Sequence, residues 1–165
     1  MPANMALLTE LKHEASGTRK MIERVPTDHF SWKPHEKSMT LGRLATHIAE
    51  LSSWVVNILQ ADEFDLAGSS FKPEGKENTE AILQVFDARL ADAIAALEYA
   101  TDDKMNALWT LRQGDHIIFQ LPCKVALRNM AFNHLYHHRG QLSVYLRLLQ
   151  VPLPGMYGPT ADERP

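Results

Sequence analysis

Residues 123–149 read CKVALRNMAFNHLYHHRGQLSVYLRLL. Leu127, Ala131, His134, His138, Leu142, Tyr145 and Leu149 recur three or four residues apart, the period of one face of an α-helix. Pro122 suits the first turn, where a backbone N–H has no partner within the helix. Gly140 weakens the helix modestly. The residues that follow, VPLPGMYGPTADERP, hold four of the nine prolines and cannot prolong it. One long helix is expected here, with two histidines on its inner stripe.

Upstream, LWTLRQGDHIIFQL at 108–121 changes character. Two apolar stretches rich in Trp, Thr, Ile and Phe flank a Gly-Asp turn signal, so a small β-hairpin is expected just before the long helix. Ile82, Phe86, Leu90, Ala93 and Leu97 give a helix over residues 79–99. Residues 61–78, ADEFDLAGSSFKPEGKEN, read as a long connection rich in Gly, Ser, Pro and charge. Leu44, His47, Ile48, Leu51, Trp54, Val55 and Ile58 form the stripe of a further helix, with Ser38 or Thr40 as its N-cap. The first helix covers residues 5–25 on Leu8, Leu11, Ala15, Thr18 and Ile22, and Pro26 stops it. Residues 26–38 form a connector. Four helices of similar length, with one long connection between the second and third, predict an all-α four-helix bundle with a crossover.

The length of 165 residues predicts one domain over 1–165, large enough to bury a core without staples. Seventeen Lys and Arg against 20 Asp and Glu leave a net charge of −3. That balance argues against broad phosphate neutralisation, so no nucleic-acid partner is expected. Cys123 is the one cysteine, which rules out an intrachain disulfide and fits a reducing compartment. The N-terminal residues lack a signal-peptide pattern, and no apolar stretch is long enough to span a bilayer. The expected location is the cytoplasm, with no membrane partner.

Eight histidines are many for this length, and three fall within five positions, at His134, His137 and His138. A helix turns about 100° per residue, so His134 and His138 lie one above the other. Two imidazoles at i, i+4 can hold neighbouring positions of one metal ion, as in helical zinc motifs. A catalytic metal takes three protein ligands and keeps an open position. The third must come from a facing helix. His47 is the candidate, since an imidazole within an apolar stripe needs hydrogen-bond partners or a metal. Three imidazoles with an open position suit zinc, nickel or iron. His137 rivals His138, and spacing alone does not choose between them. The plain alternative for each is a hydrogen-bonded core histidine.

Other residues carry weaker signals. Glu50, three residues beyond His47, either accepts a hydrogen bond from its ring or is a solvated surface acid. Gln141 and Tyr145 share a face with the histidine pair and either orient a substrate or, more simply, fill the core. Cys123 reads as a small buried hydrophobe. Arg139 and Arg147 read as surface or interface charges. Trp32, Trp54 and Trp109 read as core or interface aromatics.

The run NHLYHHRGQLSVYLRLLQVPLP at 133–154, followed by YGPTADE, resembles the signature of the DinB family of DinB/YfiT-like metalloenzymes. SWKPHEKSMTLGRLATHIAE at 31–50 resembles that family's second-helix region. The resemblance implies a four-helix bundle of up-down-down-up topology. It implies a divalent metal, zinc or nickel foremost and iron or manganese next, on one His of the second helix and two of the fourth. Those positions are His47, His134 and His138, which leaves His137 outside the ligand set. It also implies a homodimer. Some relatives carry out S-transfer with low-molecular-weight thiols such as bacillithiol or mycothiol, and others act on isomerisation substrates.

Three functions are in play. The first is a metal-dependent transferase or hydrolase on a small molecule, because an open metal position lowers the pKa of a water or thiol. The second is a non-catalytic metal-binding stress-response protein, with a closed shell and a fold that depends on the ion. The third is a metal-free dimeric interaction module, in which His134 and His138 hydrogen-bond to neighbouring side chains.

Overall fold

The computed structural model describes residues 2–68 and 75–163. The chain is mostly helical, with a small three-stranded sheet. Helix α1 (Ala3–Glu23) buries Leu7, Leu8, Leu11, Ala15, Met21 and Ile22 on one face. The Thr40 side chain accepts a hydrogen bond from the Arg43 N–H at 3.3 Å, so Thr40 caps α2 (Leu41–Glu50). Helix α3 (Ser53–Gln60) follows after Leu51 and Ser52, both of which keep right-handed helical φ and ψ. There the N–H groups of Leu51 and Trp54 reach carbonyls three residues back, at 3.4 and 3.1 Å. The expected second helix is thus one helical stretch, tightened in the middle.

Asn78 caps α4 (Thr79–Glu98) by accepting from the Ala81 N–H at 2.9 Å. A short α5 (Asp102–Asn106) precedes the expected hairpin of β2 (Leu108–Gln113) and β3 (His116–Pro122). Gly114 turns it with φ +59°, a conformation that favours glycine. One strand was hidden. β1 (Glu63–Asp65) pairs parallel with β2, setting Phe64 opposite Leu111. The Arg112 guanidinium holds it there, at 2.7 Å from Glu63 and 2.6 Å from Asp65. The part of the expected connection at 69–74 lies outside the described residues.

The long C-terminal helix comprises α6 (Cys123–Leu127), a π-helical segment (Arg128–Asn133) and α7 (His134–Leu148). The π segment leads directly into His134, a placement such segments often have at functional sites. Helix α4 packs on α1, α2 and α3, and α7 packs on α2 and α1. Ile22, Leu44, Ile48, Phe86, Leu142 and Leu146 fill the core between them. A second cluster, around Leu11, Ile58, Leu97, Trp109 and Phe132, joins the helices to the sheet. Cys123 is buried there, and burial pushes its thiol pKa up, so it packs as a small apolar group. Trp109 is buried, while Trp32 and Trp54 are partly buried against the core. No described helix is long and apolar enough to cross a membrane.

Arg139 departs from the expected surface or interface charge. It is 4% exposed, and its guanidinium donates to Glu14 Oε2 at 2.6 Å and Thr18 Oγ1 at 2.9 Å, both on α1. Tyr157, in the proline-rich tail, donates to the same Glu14 oxygen at 2.8 Å. Arg147 is a surface charge as expected, and pairs with Asp162 of the tail. Met156 seats over Gly17, where an added Cβ would lie 2.4 Å from its Cε. These contacts account physically for the tail: it lies across α1 and α7, held by the Arg147–Asp162 ion pair and by the Tyr157 hydrogen bond to Glu14.

Candidate metal centre

Helix α2 supplies His47, and α7 supplies His134 and His138 one turn apart. Their ring centroids form a near-equilateral triangle of 5.0, 4.6 and 4.7 Å. One ring nitrogen from each lies within 4.8 Å of the others. The Nε2 atoms of His47 and His134 are 3.3 Å apart. Tetrahedral zinc with Zn–N bonds of about 2.0–2.1 Å sets its ligand nitrogens about 3.3–3.4 Å apart, so this pair already has the required spacing. The exposed His137 is not part of the cluster.

Protonation supports the same fit. Burial lowers the pKa of all three rings, and that of His47 falls to about 4, helped by His138, His134 and Arg43. All three are therefore neutral near pH 7. His134 Nδ1 faces the Met130 carbonyl at 3.3 Å, and His138 Nδ1 faces Gln141 Oε1 at 2.7 Å. Both oxygens only accept, so each Nδ1 carries the proton and each Nε2 carries a lone pair. His47, with one N–H, can serve only one of them. Converging lone pairs outnumber the donors within the trio, and a cation is the natural complement.

Gln141 and Glu50 sort differently from the sequence reading, and Tyr145 follows its simpler one. Gln141 does not fill the core: it is exposed, accepts from His138 and donates through its amide nitrogen to His137 Nε2 at 3.0 Å. It therefore fixes the His138 tautomer. Tyr145 is structural, donating to the Met39 carbonyl at 3.3 Å and meeting Trp32 edge to face. Glu50 pairs with Arg43 at 3.6 Å rather than with His47. Burial raises its carboxyl pKa, and its Oε2 has no hydrogen-bond partner among the described residues.

A cavity of about 410 Å³ opens beside the trio, and His47 and His134 line it together with Glu50, Trp54, Phe64 and Arg89. Phe64 belongs to β1, so the hidden strand builds part of the wall. A larger groove of about 640 Å³, between α3 and α4, includes none of the three histidines.

The family model of the DinB family matches residues 1–164. The chain belongs to the DinB family. Two Bacillus subtilis relatives are the uncharacterized proteins YjoA and YrdA. YjoA is 29% identical over 133 residues, covering 79% of this chain and 80% of its own. YrdA is 24% identical over 159 residues, covering 94% and 89%. A DinB-like protein of Bacillus cereus ATCC 10987 superposes with a TM-score of 0.71 at 23% identity, over 91% of this chain and 95% of that one. The crystal structure of YjoA superposes with a TM-score of 0.69 at 19% identity, over 97% and 99%. At these identities the solved structures establish the shared DinB-like fold. Family membership and the three-histidine cluster are compatible with a metal site.

Proposed function

We propose that this DinB-family protein is a single-domain, metal-dependent enzyme acting on a small molecule, with its divalent ion on His47, His134 and His138. The observation that carries the reading is the convergence of three neutral imidazoles from two helices, with more lone pairs than donors, beside a cavity. Zinc or nickel suits an all-nitrogen site best, then iron or manganese. Such an ion lowers the pKa of a water or thiol at its open position, which suits hydrolysis or thiol-dependent S-transfer with a low-molecular-weight thiol. The chain's own residues do the rest. Gln141 holds His138 in the ligating tautomer, and Glu50, a cavity-lining carboxylate paired with Arg43 and raised in pKa by burial, takes up the released proton.

In this reading α1, α2–α3, α4 and α6–α7 form an up-down-down-up bundle. The protein works in the cytoplasm as a homodimer, without nucleic-acid or membrane partners. Exposed Val144 and Leu148, one turn apart on α7, offer apolar surface to a second copy.

The test is elemental analysis of untagged protein beside His47→Ala and His138→Ala. Wild type is expected to hold about one equivalent of metal per chain, as an open three-histidine centre does, and each variant to lose it. Variants with wild-type metal content would refute the ligand assignment. The second reading, a metal-binding stress-response protein stabilised by its ion, has the same histidines in its favour but not the cavity. It prevails if added thiols leave the spectrum of cobalt-substituted protein unchanged while chelation unfolds the chain.

A further inference from the structure

The cavity beside the histidines has a divided lining. Leu51, Trp54, Phe64 and Leu66 make it apolar, with Trp54 and Phe64 meeting edge to face at 5.0 Å. Two ionic side chains line it as well, Glu50 and Arg89. Glu50 is already matched by Arg43 at 3.6 Å. Arg89 is not held in the same way. Its ion pair is with Asp92, at 3.8 Å, and both side chains are more than half exposed. Such a pair contributes little and yields readily to an anion that meets the guanidinium fork squarely. Arg89 thus stands on the solvent side, while His47 and His134 are part-buried. The volume of about 410 Å³ suits a small molecule rather than a macromolecular segment.

We propose that this cavity binds a small amphipathic carboxylate, with its coordinating end toward His47 and His134, its apolar body along Trp54, Phe64 and Leu66, and its carboxylate on Arg89. The proposal rests on the metal-centre reading for the coordinating end only. Arg89 selects for the anionic end, and Arg43 keeps Glu50 from opposing it.

Mercaptohexanoate and mercaptooctanoate, each beside its methyl ester, are titrated into zinc-reconstituted protein by calorimetry, with tryptophan fluorescence as a second signal. Each acid is expected to bind about five- to tenfold more tightly than its ester, the gain of one charge-assisted hydrogen-bonded pair at a partly open site. Arg89→Leu abolishes the difference between acid and ester, and Arg89→Lys keeps part of it. Equal binding of acid and ester by wild type, or a difference that survives in Arg89→Leu, overturns the proposal. Phenylbutyrate, which lacks a thiol, separates the two readings in metal-free protein. Arg89-dependent phenylbutyrate binding in metal-free protein, together with mercapto acids that gain nothing from zinc, upholds the anion site and overturns the metal centre. Zinc-dependent thiol binding indifferent to Arg89 does the reverse.

Discussion

Helix α7 builds two polar clusters, one facing α1 and one facing α2, and they are put together on opposite principles. On the α1 side, Arg139 meets Glu14, Thr18 and Tyr157, so charge is cancelled and both terminal nitrogens of the guanidinium find acceptors. The guanidinium also lies over the rings of Tyr136 and Tyr157, at 5.4 and 5.6 Å. On the α2 side, three like groups converge, all neutral, with no acid among them. Arg139 and Glu14 are buried, and in the second cluster His138 is buried while His47 and His134 are part-buried at the cavity wall. The desolvation of the first is offset within the chain, and that of the second is offset only by something added. A buried polar cluster that satisfies itself holds the fold, whereas one that leaves lone pairs pointing at a common centre awaits a ligand.

The sharpest way to break this contrast is to damage each cluster in turn. Arg139→Met leaves the Glu14 carboxylate, with its side chain 10% exposed, without a counter-charge. A loss of about 3–5 kcal/mol is expected in denaturant unfolding, with much of it recovered by also changing Glu14→Leu. His138→Ala should do the opposite. Metal-free stability should change by less than about 1 kcal/mol, while metal affinity falls by at least about 100-fold, or about 2.7 kcal/mol. If both variants destabilise the metal-free chain equally, the histidines are structural and the contrast fails.

Gln141 sharpens the same comparison on a smaller scale. It is the one member of the histidine surroundings that completes a hydrogen-bonded chain, from His138 through its amide to His137. Gln141→Leu should weaken metal binding by about 10–100-fold with little effect on folding, the usual consequence of losing a group that orients a ligand. Gln141→Glu keeps the acceptor and should stay close to wild type. Equal metal affinity for the Leu and Glu variants would show that the tautomer of His138 is set elsewhere.

Much of the candidate site was legible because it is written in short-range spacing. His134 and His138 share a face of any α-helix, and His47 stood out as an imidazole in an apolar stripe. The start of α2 and the hairpin turn were legible for the same reason, since Thr40 and Gly114 are local signals. What stayed hidden depends on distant partners. Glu63–Asp65 is too short for its alternation to stand out, and β1 shows itself only through its pairing with β2 and the ion pairs of Arg112 with both its acids. Arg139 looks like any surface arginine until α1 brings Glu14 to it, 125 residues away in sequence. The cavity wall inherits this difficulty, since Phe64 reaches it only through β1. The π segment has no apolar period to betray it, because it keeps Ala131 and His134 on the inner stripe.

Acid should weaken the histidine cluster before the ion pair that holds the tail. The folded pKa of His47 is about 4 against an ordinary 6.5. Above pH 6.5 the ring is neutral folded or unfolded. Below it the unfolded chain binds a proton that the folded chain refuses, so metal-free stability declines as pH falls from about 6.5 toward about 4. His134 and His138, also lowered by burial, add to the decline in the same direction. The tail answers lower down: Arg147 lowers the Asp162 pKa to about 2 from an ordinary 3.8, so the contribution of that pair is full above about 3.8 and is lost as pH falls from there through about 2. Denaturant midpoints of metal-free protein at several values between pH 7 and 4 should fall steadily. A flat profile would mean that the trio is not held neutral.

Tyr157→Phe should have the smallest effect, and it tests how far the self-satisfied cluster extends. The hydroxyl is a hub on paper: it donates to Glu14 and accepts from Arg139. Yet Tyr157 is 73% exposed, and Arg139 keeps Glu14 and Thr18 without it. Water can replace the hydroxyl, so the loss should be about 0.5–1 kcal/mol, the net worth of an ordinary hydrogen bond. Limited proteolysis should cleave the tail sooner, while metal content stays that of wild type. A loss approaching that of Arg139→Met would mean that the tail excludes water from the Arg139–Glu14 pair. The boundary of the fold-holding cluster would then run through the tail rather than between α1 and α7.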